Sequence, residues 1–248
     1  MLLGVRQFFE RRGGGGWQNP YVTDGLVAMW DGIWNGGVGG APQDESATVW
    51  KDIVGGIELE VNSNASLSWN SDGLVSSSAS VGRYAIQNSS VPDALCAQIL
   101  MIAKSGVSYS FNNGPLVMNL FSASNGRYFL RVDNNGNYSD GGGDGVCRTY
   151  ATSSADLTTA LANGLLVTLN YGNVKPKYAD EFYIGNTMVT NTGTAWGGGN
   201  NNFGVGGQST WVACQRVTLA RICLYSRNLT AAEIASNYAI DKARFNLP

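Results

Sequence analysis

Ala220-Arg221-Ile222-Cys223-Leu224-Tyr225-Ser226-Arg227-Asn228-Leu229-Thr230-Ala231-Ala232-Glu233-Ile234-Ala235-Ser236-Asn237-Tyr238 decides the fold. The first six residues alternate. Ile222 and Leu224 point one way, while Arg221, Cys223 and Tyr225 point the other, the period of a β-strand. After a short polar turn, Thr230 and Glu233 stand three apart ahead of an apolar-periodic run. That spacing is a capping box. The Thr230 hydroxyl accepts from the free amide of Glu233, and the Glu233 carboxylate accepts from the amide of Thr230. A strand therefore passes directly into a capped helix, on which Ala231, Ile234, Ala235, Tyr238 and Phe245 fall on one stripe interrupted by Lys242.

Three further blocks lie near the start: Gly25-Leu26-Val27-Ala28-Met29-Trp30-Asp31-Gly32, then Val49-Trp50-Lys51-Asp52-Ile53-Val54-Gly55, then Leu67-Ser68-Trp69-Asn70-Ser71-Asp72-Gly73-Leu74. Together with Ser226-Arg227-Asn228-Leu229-Thr230-Ala231-Ala232-Glu233-Ile234, they resemble concanavalin A-like jelly rolls of the laminin G-like type. The family patterns are "Gly-Leu-Val-Ala-Tyr-Trp", "Trp-x-Asp-x-x-Gly", "Trp-x-x-x-Gly" and "Ser-Arg-x-Leu-Thr-x-x-Glu-Ile". The resemblance covers roughly residues 25–245 and is most specific at its two ends. It implies an all-β, antiparallel two-sheet sandwich whose first and last strands are neighbours, with Trp30, Trp50 and Trp69 in the core.

The middle of the chain fits that expectation on its own chemistry. Short β-rich runs, Leu116–Phe121, Arg127–Val132, Gly164–Tyr171 and Glu181–Asn186, are separated by turn residues. Asn125-Gly126 and Asn135-Gly136 are hairpin signals, because both residue types tolerate the positive φ of a type I′ turn. Phe203–Gly207 matches another family strand. Ala94–Ala103 is compatible with strand or helix by pattern, and the family places a strand there; residues 156–162 read as one helical turn or two. Closely spaced strands without intervening helices argue for a sandwich.

Composition limits the chemistry. The 33 glycines mark many turns, and charged residues are only 14% of 248. Lys and Arg number 16 against 18 Asp and Glu, so no basic field suits a nucleic-acid backbone. Histidine is absent, which removes Ser-His-Asp and Cys-His catalysis and imidazole-dependent zinc sites. Cys96, Cys147, Cys214 and Cys223 lack Cys-x-x-Cys spacing; their even number permits two disulfides, but they read as buried free thiols.

Jelly-roll glycosidases of the glucanase type carry Glu-x-Asp-x-x-Glu on one strand, which puts acid, assistant and nucleophile on one face. This chain has no such array. Asp180-Glu181 would face opposite ways, and Glu58 with Glu60 lack a third member. The reading is therefore of a protein that is not an enzyme. No cofactor is expected. Calcium is a possibility at Asp133, Asn135, Asp140 and Asp144, in a loop rich in hard oxygen ligands that departs from the EF-hand pattern at Tyr138.

Sugar recognition needs an aromatic plate and hydroxyl-bonding groups. Trp196 with Asn200, Asn201 and Asn202 offers both in one stretch, with Trp34 and Trp211 as secondary candidates; the competing reading for each tryptophan is a lid over the sandwich edge.

Residues 1–24 form an N-terminal arm and Gly-rich joint, and residues 25–248 the laminin G-like domain. Val5, Phe8, Phe9, Arg11 and Arg12 are the candidate docking residues of the arm, and Gly13-Gly14-Gly15-Gly16 is a flexible hinge. An arm folded back on its own sandwich is the alternative. The N-terminus is a poor signal peptide, and no run approaches the roughly 20 apolar residues of a membrane span. Synthesis in the cytoplasm without Sec export, and a final place on a virion or another extracellular surface, are expected. The arm and the ending are similar in style to proteins of bacteriophage and prophage structural regions. The functional expectation is a surface-displayed decoration or binding protein of a phage capsid or tail, oligomeric, docked on other virion proteins through the arm. Glycans are the expected ligand class of its lectin-like sandwich. The alternative is a free carbohydrate-binding adhesion module of a bacterial surface.

Overall fold

The computed structural model describes residues 19–37, 43–61, 67–75, 94–103, 159–171, 181–189 and 217–248 in full. It also gives the backbone of strand residues 76, 82–84, 86–87, 116–122, 126–132, 138–141, 146–150, 196–197 and 211–214. The arm residues Val5, Phe8, Phe9, Arg11 and Arg12 lie outside the described residues, as does the expected strand Phe203–Gly207.

The described strands begin with β1 (Leu26–Asp31), β2 (Val49–Lys51), β3 (Glu58–Val61), β4 (Leu67–Asn70), β5 (Gly73–Ser76), β6 (Gly82–Tyr84) and β7 (Ile86–Gln87). The middle contributes β8 (Cys96–Ala103), β9 (Leu116–Ser122), β10 (Gly126–Val132), β11 (Tyr138–Gly141) and β12 (Val146–Tyr150). After a helical turn over residues 159–162 come β13 (Leu165–Asn170), β14 (Glu181–Ile184), β15 (Thr187–Met188), β16 (Trp196–Gly197), β17 (Trp211–Cys214) and β18 (Val217–Tyr225). The chain ends in helix α1 (Ala231–Arg244).

Two large antiparallel sheets result. One runs β15-β14-β13-β8-β18-β5-β4, with β1 also on β18; the other runs β16-β12-β11-β10-β9-β17-β6. A small sheet β2-β3-β7 completes the all-β sandwich. The family-based expectation that first and last strands are neighbours holds residue by residue, with Met29 opposite Cys223 and Trp30 opposite Ile222. Ala94–Ala103 is a strand, β8, at the centre of its sheet between β13 and β18.

Alternation along the central strands explains the core. Ile99, Met101, Val167, Leu169, Ile222 and Leu224 join one buried cluster with Trp30, Trp50 and Trp69. The three indoles are buried because each N–H finds a carbonyl: Trp30 on Ile57 at 3.3 Å, Trp50 on Asp31 at 3.0 Å and Trp69 on Ala47 at 2.8 Å. Trp50 and Trp69 meet edge to face, with centroids 5.4 Å apart. At Gly73 a Cβ would lie 2.2 Å from the Leu219 carbonyl oxygen, so only glycine lets β5 approach β18 there.

The other face of this sheet is buried as well, which alternation alone does not reveal. Cys96, Met29, Cys223 and Tyr225 form a second cluster with Tyr21 and with Leu229 and Ile234 from the C-terminal segment. Cys96 and Cys223 are free and buried; burial raises both thiols, Cys223 to about 11, so neither is a nucleophile at neutral pH. Cys214 pairs with Leu116 in the other large sheet and does not face Cys223.

The capping box is present as the spacing requires. Glu233 N donates to Thr230 Oγ1 at 3.3 Å, and Thr230 N donates to Glu233 Oε2 at 2.9 Å. The buried face of α1 differs from the apolar stripe. Ala231 is exposed and Ala235 and Tyr238 are half-buried, whereas Ile234, Asn237, Asp241 and Arg244 face inward. The reason is that the sheet face beneath the helix is itself polar at Gln98, Arg221 and Tyr225.

Arg227 donates to both Glu233 oxygens, at 3.0 and 2.6 Å, and holds that carboxyl down at about 2. An unfolded glutamate titrates near ~4.3. The folded value is depressed, so the stabilisation is complete above about pH 4.5 and is lost as pH falls toward 2. Because the pair is partly exposed, solvent screening reduces its worth to about 1 kcal/mol. Glu233→Gln should cost that much at pH 7, and the difference should vanish near pH 2. Paired urea titrations across this range would show it, and a difference constant with pH would refute it.

Candidate functional site

The densest group of ionisable residues among those described lies between α1 and the sheet. Arg244 is bidentate to Asp31 (2.6 and 3.0 Å), and Arg221 is bidentate to Asp241 (2.9 and 2.5 Å). Tyr21 joins the two pairs: its hydroxyl donates to Asp241 at 2.7 Å and accepts from Arg244 at 2.6 Å. Burial, and then the neighbouring Asp241 charge, raise the Tyr21 phenol far above its usual value. Two cations meet two anions, and Asp31, Arg221 and Asp241 are closed to solvent. A substrate cannot reach this network, so it serves the fold. It also seats residues 19–24, grouped with the arm by sequence, on the body of the domain: Val22 N donates to Asn237 Oδ1 at 3.0 Å.

Trp34, a secondary candidate for sugar binding, is half-buried and packs on the Tyr21–Tyr225 cluster beside the helix. Its Asp-Gly turn is held by Asp31, whose Oδ1 accepts from the amides of Ile33 and Trp34 at 3.0 and 3.2 Å. This is the packing setting that the sequence weighed against sugar binding. Glu58 and Glu60 are exposed on β3, and Glu58 pairs with Lys51 at 3.3 Å. Glu181 accepts from Asn170 at 2.9 Å and Tyr183 at 3.2 Å, a structural arrangement at the start of β14. Asp180 lies outside the described residues.

Trp196 and Trp211 have a different setting, visible in the backbone register. Trp211 pairs with Asn119, Asn119 with Phe129, Phe129 with Gly141, Gly141 with Cys147, and Cys147 with Trp196. Directly paired residues share a face of the pleat, so these six form one row on one face of the seven-stranded sheet. The row crosses five inter-strand steps, or about 24 Å at the usual strand spacing. It starts and ends on tryptophan, has Phe129 between them, and contains Gly141, where no side chain exists. Asn200, Asn201 and Asn202 lie outside the described residues. Among the calcium candidates, Asp140 sits in β11 opposite Leu130 and Arg148, and Asp133, Asn135 and Asp144 lie outside the described residues. No cluster of three or more Cys, Asp or Glu suited to a metal occurs among the described residues.

Sequence reasoning missed one concavity, an open cleft of about 310 Å³ lined by Thr159, Asn163, Asn186, Thr187 and Tyr238. Its lining mixes these polar side chains with apolar Ala160, Leu165 and Ile184, and carries no charged group.

No protein-family model matches the sequence, and no curated protein is similar to it. In structure the chain is similar to Trypanosoma rangeli sialidase in complex with sialic acid, at 15% identity and a TM-score of 0.52, covering 92% of this chain and 35% of that one. The same enzyme in its covalent 2,3-difluorosialic acid complex gives 16%, 0.53, 94% and 35%. The binding domain of botulinum neurotoxin serotype D gives 12% identity and a TM-score of 0.53, covering 87% of this chain and 51% of that one. The chain thus spans about a third of the sialidase and half of the toxin domain. At these identities the likeness is one of fold.

Proposed function

We propose that this chain is a non-enzymatic, lectin-like binding module of the concanavalin A-like, laminin G-like kind, and that it takes a glycan along the Trp196–Trp211 row. The observation that carries this reading is the row itself. Two tryptophans distant in sequence are aligned across one face with Phe129 and Asn119, the residue types that stack on pyranose rings and bond hydroxyls. The structures similar in fold include a sialidase in complex with sialic acid and a toxin binding domain, which agrees with a binding role for such sandwiches. The described carboxylates support the non-enzymatic half: Asp31 and Asp241 are sealed in ion pairs, and Glu58, exposed on β3, is paired with Lys51.

Display on a larger assembly, a phage virion above all, belongs to the same proposal and rests on Phe8, Phe9, Arg11 and Arg12 and on the style of the ending. The two halves separate by experiment. Trp196→Ala and Trp211→Ala should each weaken glycan binding by about ten-fold, roughly 1.4 kcal/mol, while retaining the melting temperature. Deleting residues 1–16 should abolish incorporation into particles and leave glycan affinity unchanged. Silence of the purified protein on a broad glycan array, with and without calcium, would end the lectin reading.

A further inference from the structure

The glycan row belongs to a face whose charge is one-sided, and this feature deepens the reading above and depends on it. Along β10, Arg127, Phe129 and Arg131 alternate onto one face, the face of Trp196 and Trp211. Ala213 pairs with Val117 and also with Arg83 of β6, and Val117 pairs with Arg131, so Arg83 joins the same face in the adjacent row. No Asp or Glu falls on it among the described strand residues. The cross-strand partners of its arginines are Phe121 for Arg127, Val117 and Ser139 for Arg131, and Ala213 for Arg83.

The opposite face is the contrast. There Arg148 is paired directly with Asp140, and the rest includes Leu116, Met118, Leu120, Leu130, Val132 and Val212, the composition of a core layer. Elsewhere in the domain, Arg221, Arg227 and Arg244 each have a carboxylate. Three arginines on one face that carries no Asp or Glu among the described strand residues therefore stand apart in a chain of net charge −2.

We propose that the Trp196–Trp211 face binds an anionic glycan, the guanidinium groups of Arg127, Arg131 and Arg83 taking carboxylate or sulfate groups while the aromatic row takes the rings. Guanidinium forks match planar carboxylates and sulfate oxygens in paired hydrogen bonds. Arg127 and Arg131 are four residues apart, about 13 Å along the strand, with Phe129 midway. That pattern fits a linear oligosaccharide with repeated acidic groups better than a single sugar. A nucleic acid, which needs a broader basic field, is disfavoured by three arginines in an acidic protein.

The test is titration calorimetry of the full chain with an oligogalacturonate hexamer, a chondroitin sulfate hexasaccharide and neutral maltohexaose. At least one acidic hexamer should bind ten-fold or more tighter than maltohexaose, and its affinity should fall with added salt. Methyl-esterifying the oligogalacturonate, which leaves the protein untouched, should remove that preference if the carboxylated arm is the one that binds. Arg127→Met and Arg131→Met should each cost the acidic ligand ten-fold or more, with Arg131→Lys intermediate. Lys51→Met, an exposed change on the small sheet, should have no effect.

Equal binding of neutral and acidic hexamers, or retained affinity in both arginine variants, overturns this inference and leaves the lectin reading standing. Binding to none of the three, with silence on the glycan array, overturns both. Tighter binding of a single-stranded oligonucleotide than of any hexamer overturns the glycan assignment.

Discussion

Asp241→Ala is expected to bring the domain to the edge of unfolding, with a loss of about 3–5 kcal/mol. Arg221 and Asp241 are both completely buried, and the Arg221 guanidinium meets the carboxylate through two hydrogen bonds. Without Asp241 that cation remains in the interior with the Cys223 sulfur, 2.7 Å away, as its other hydrogen-bond partner. The Tyr21 hydroxyl loses its acceptor in the same step. A cost of this size is a large part of the roughly 5–15 kcal/mol that holds a domain folded.

The double variant Arg221→Met with Asp241→Leu should recover most of the loss, because an apolar pair of similar volume carries no desolvation penalty. Urea midpoints at constant slope measure both. A single variant within 1 kcal/mol of the parent, or a double variant no better than the single, would sink this account.

Asp52→Asn should cost about 2–4 kcal/mol, although it changes no volume. Asp52 is fully buried at the turn after β2. One carboxylate oxygen accepts from the amides of Met29 and Val54 at 2.7 and 2.8 Å, and the other accepts from Gly55 at 2.6 Å. An amide can accept at only one of these positions. Whichever way it turns, an NH2 group is set against a backbone N–H donor that the carboxylate had satisfied. The affected donors tie β1 to the turn, so the loss should appear in global stability and in faster hydrogen exchange at Met29 or Gly55. Unchanged exchange at both amides would contradict the role assigned to Asp52. The turn pattern Trp50-Lys51-Asp52-Ile53-Val54-Gly55 thus has a reason: aspartate collects the amides, and glycine lets the chain pass close to the carboxylate.

These two aspartates illustrate what a linear reading catches and what it does not. Asp52 was visible as part of a motif, because its partners are mostly close in sequence. Asp241 was not, because its partners Arg221 and Tyr21 are 20 and 220 residues away. The helix stripe was misread for the same reason. A search for apolar periodicity selects Ala231 and Ala235 and passes over Asn237, Asp241 and Arg244, whose spacing from Ile234 is equally helical. A signal was available: Arg221 stands between apolar strand residues, and a buried arginine requires a carboxylate.

The sequence by itself determined the last strand, the capped helix and most of the short strands of the middle, through local periodicity, capping and turn chemistry. The burial of the three indoles and the adjacency of first and last strands were implied by the resemblance to laminin G-like jelly rolls. Only the tertiary structure decided that both faces of the β8–β18 sheet are buried, that Trp34 packs against the Tyr21–Tyr225 cluster, and that Trp196 and Trp211 stand in one row. The physical reason is register. Which residues face each other across a sheet depends on hydrogen-bonded pairing between distant segments, and a shift of one residue would transfer every member of a strand to the opposite face.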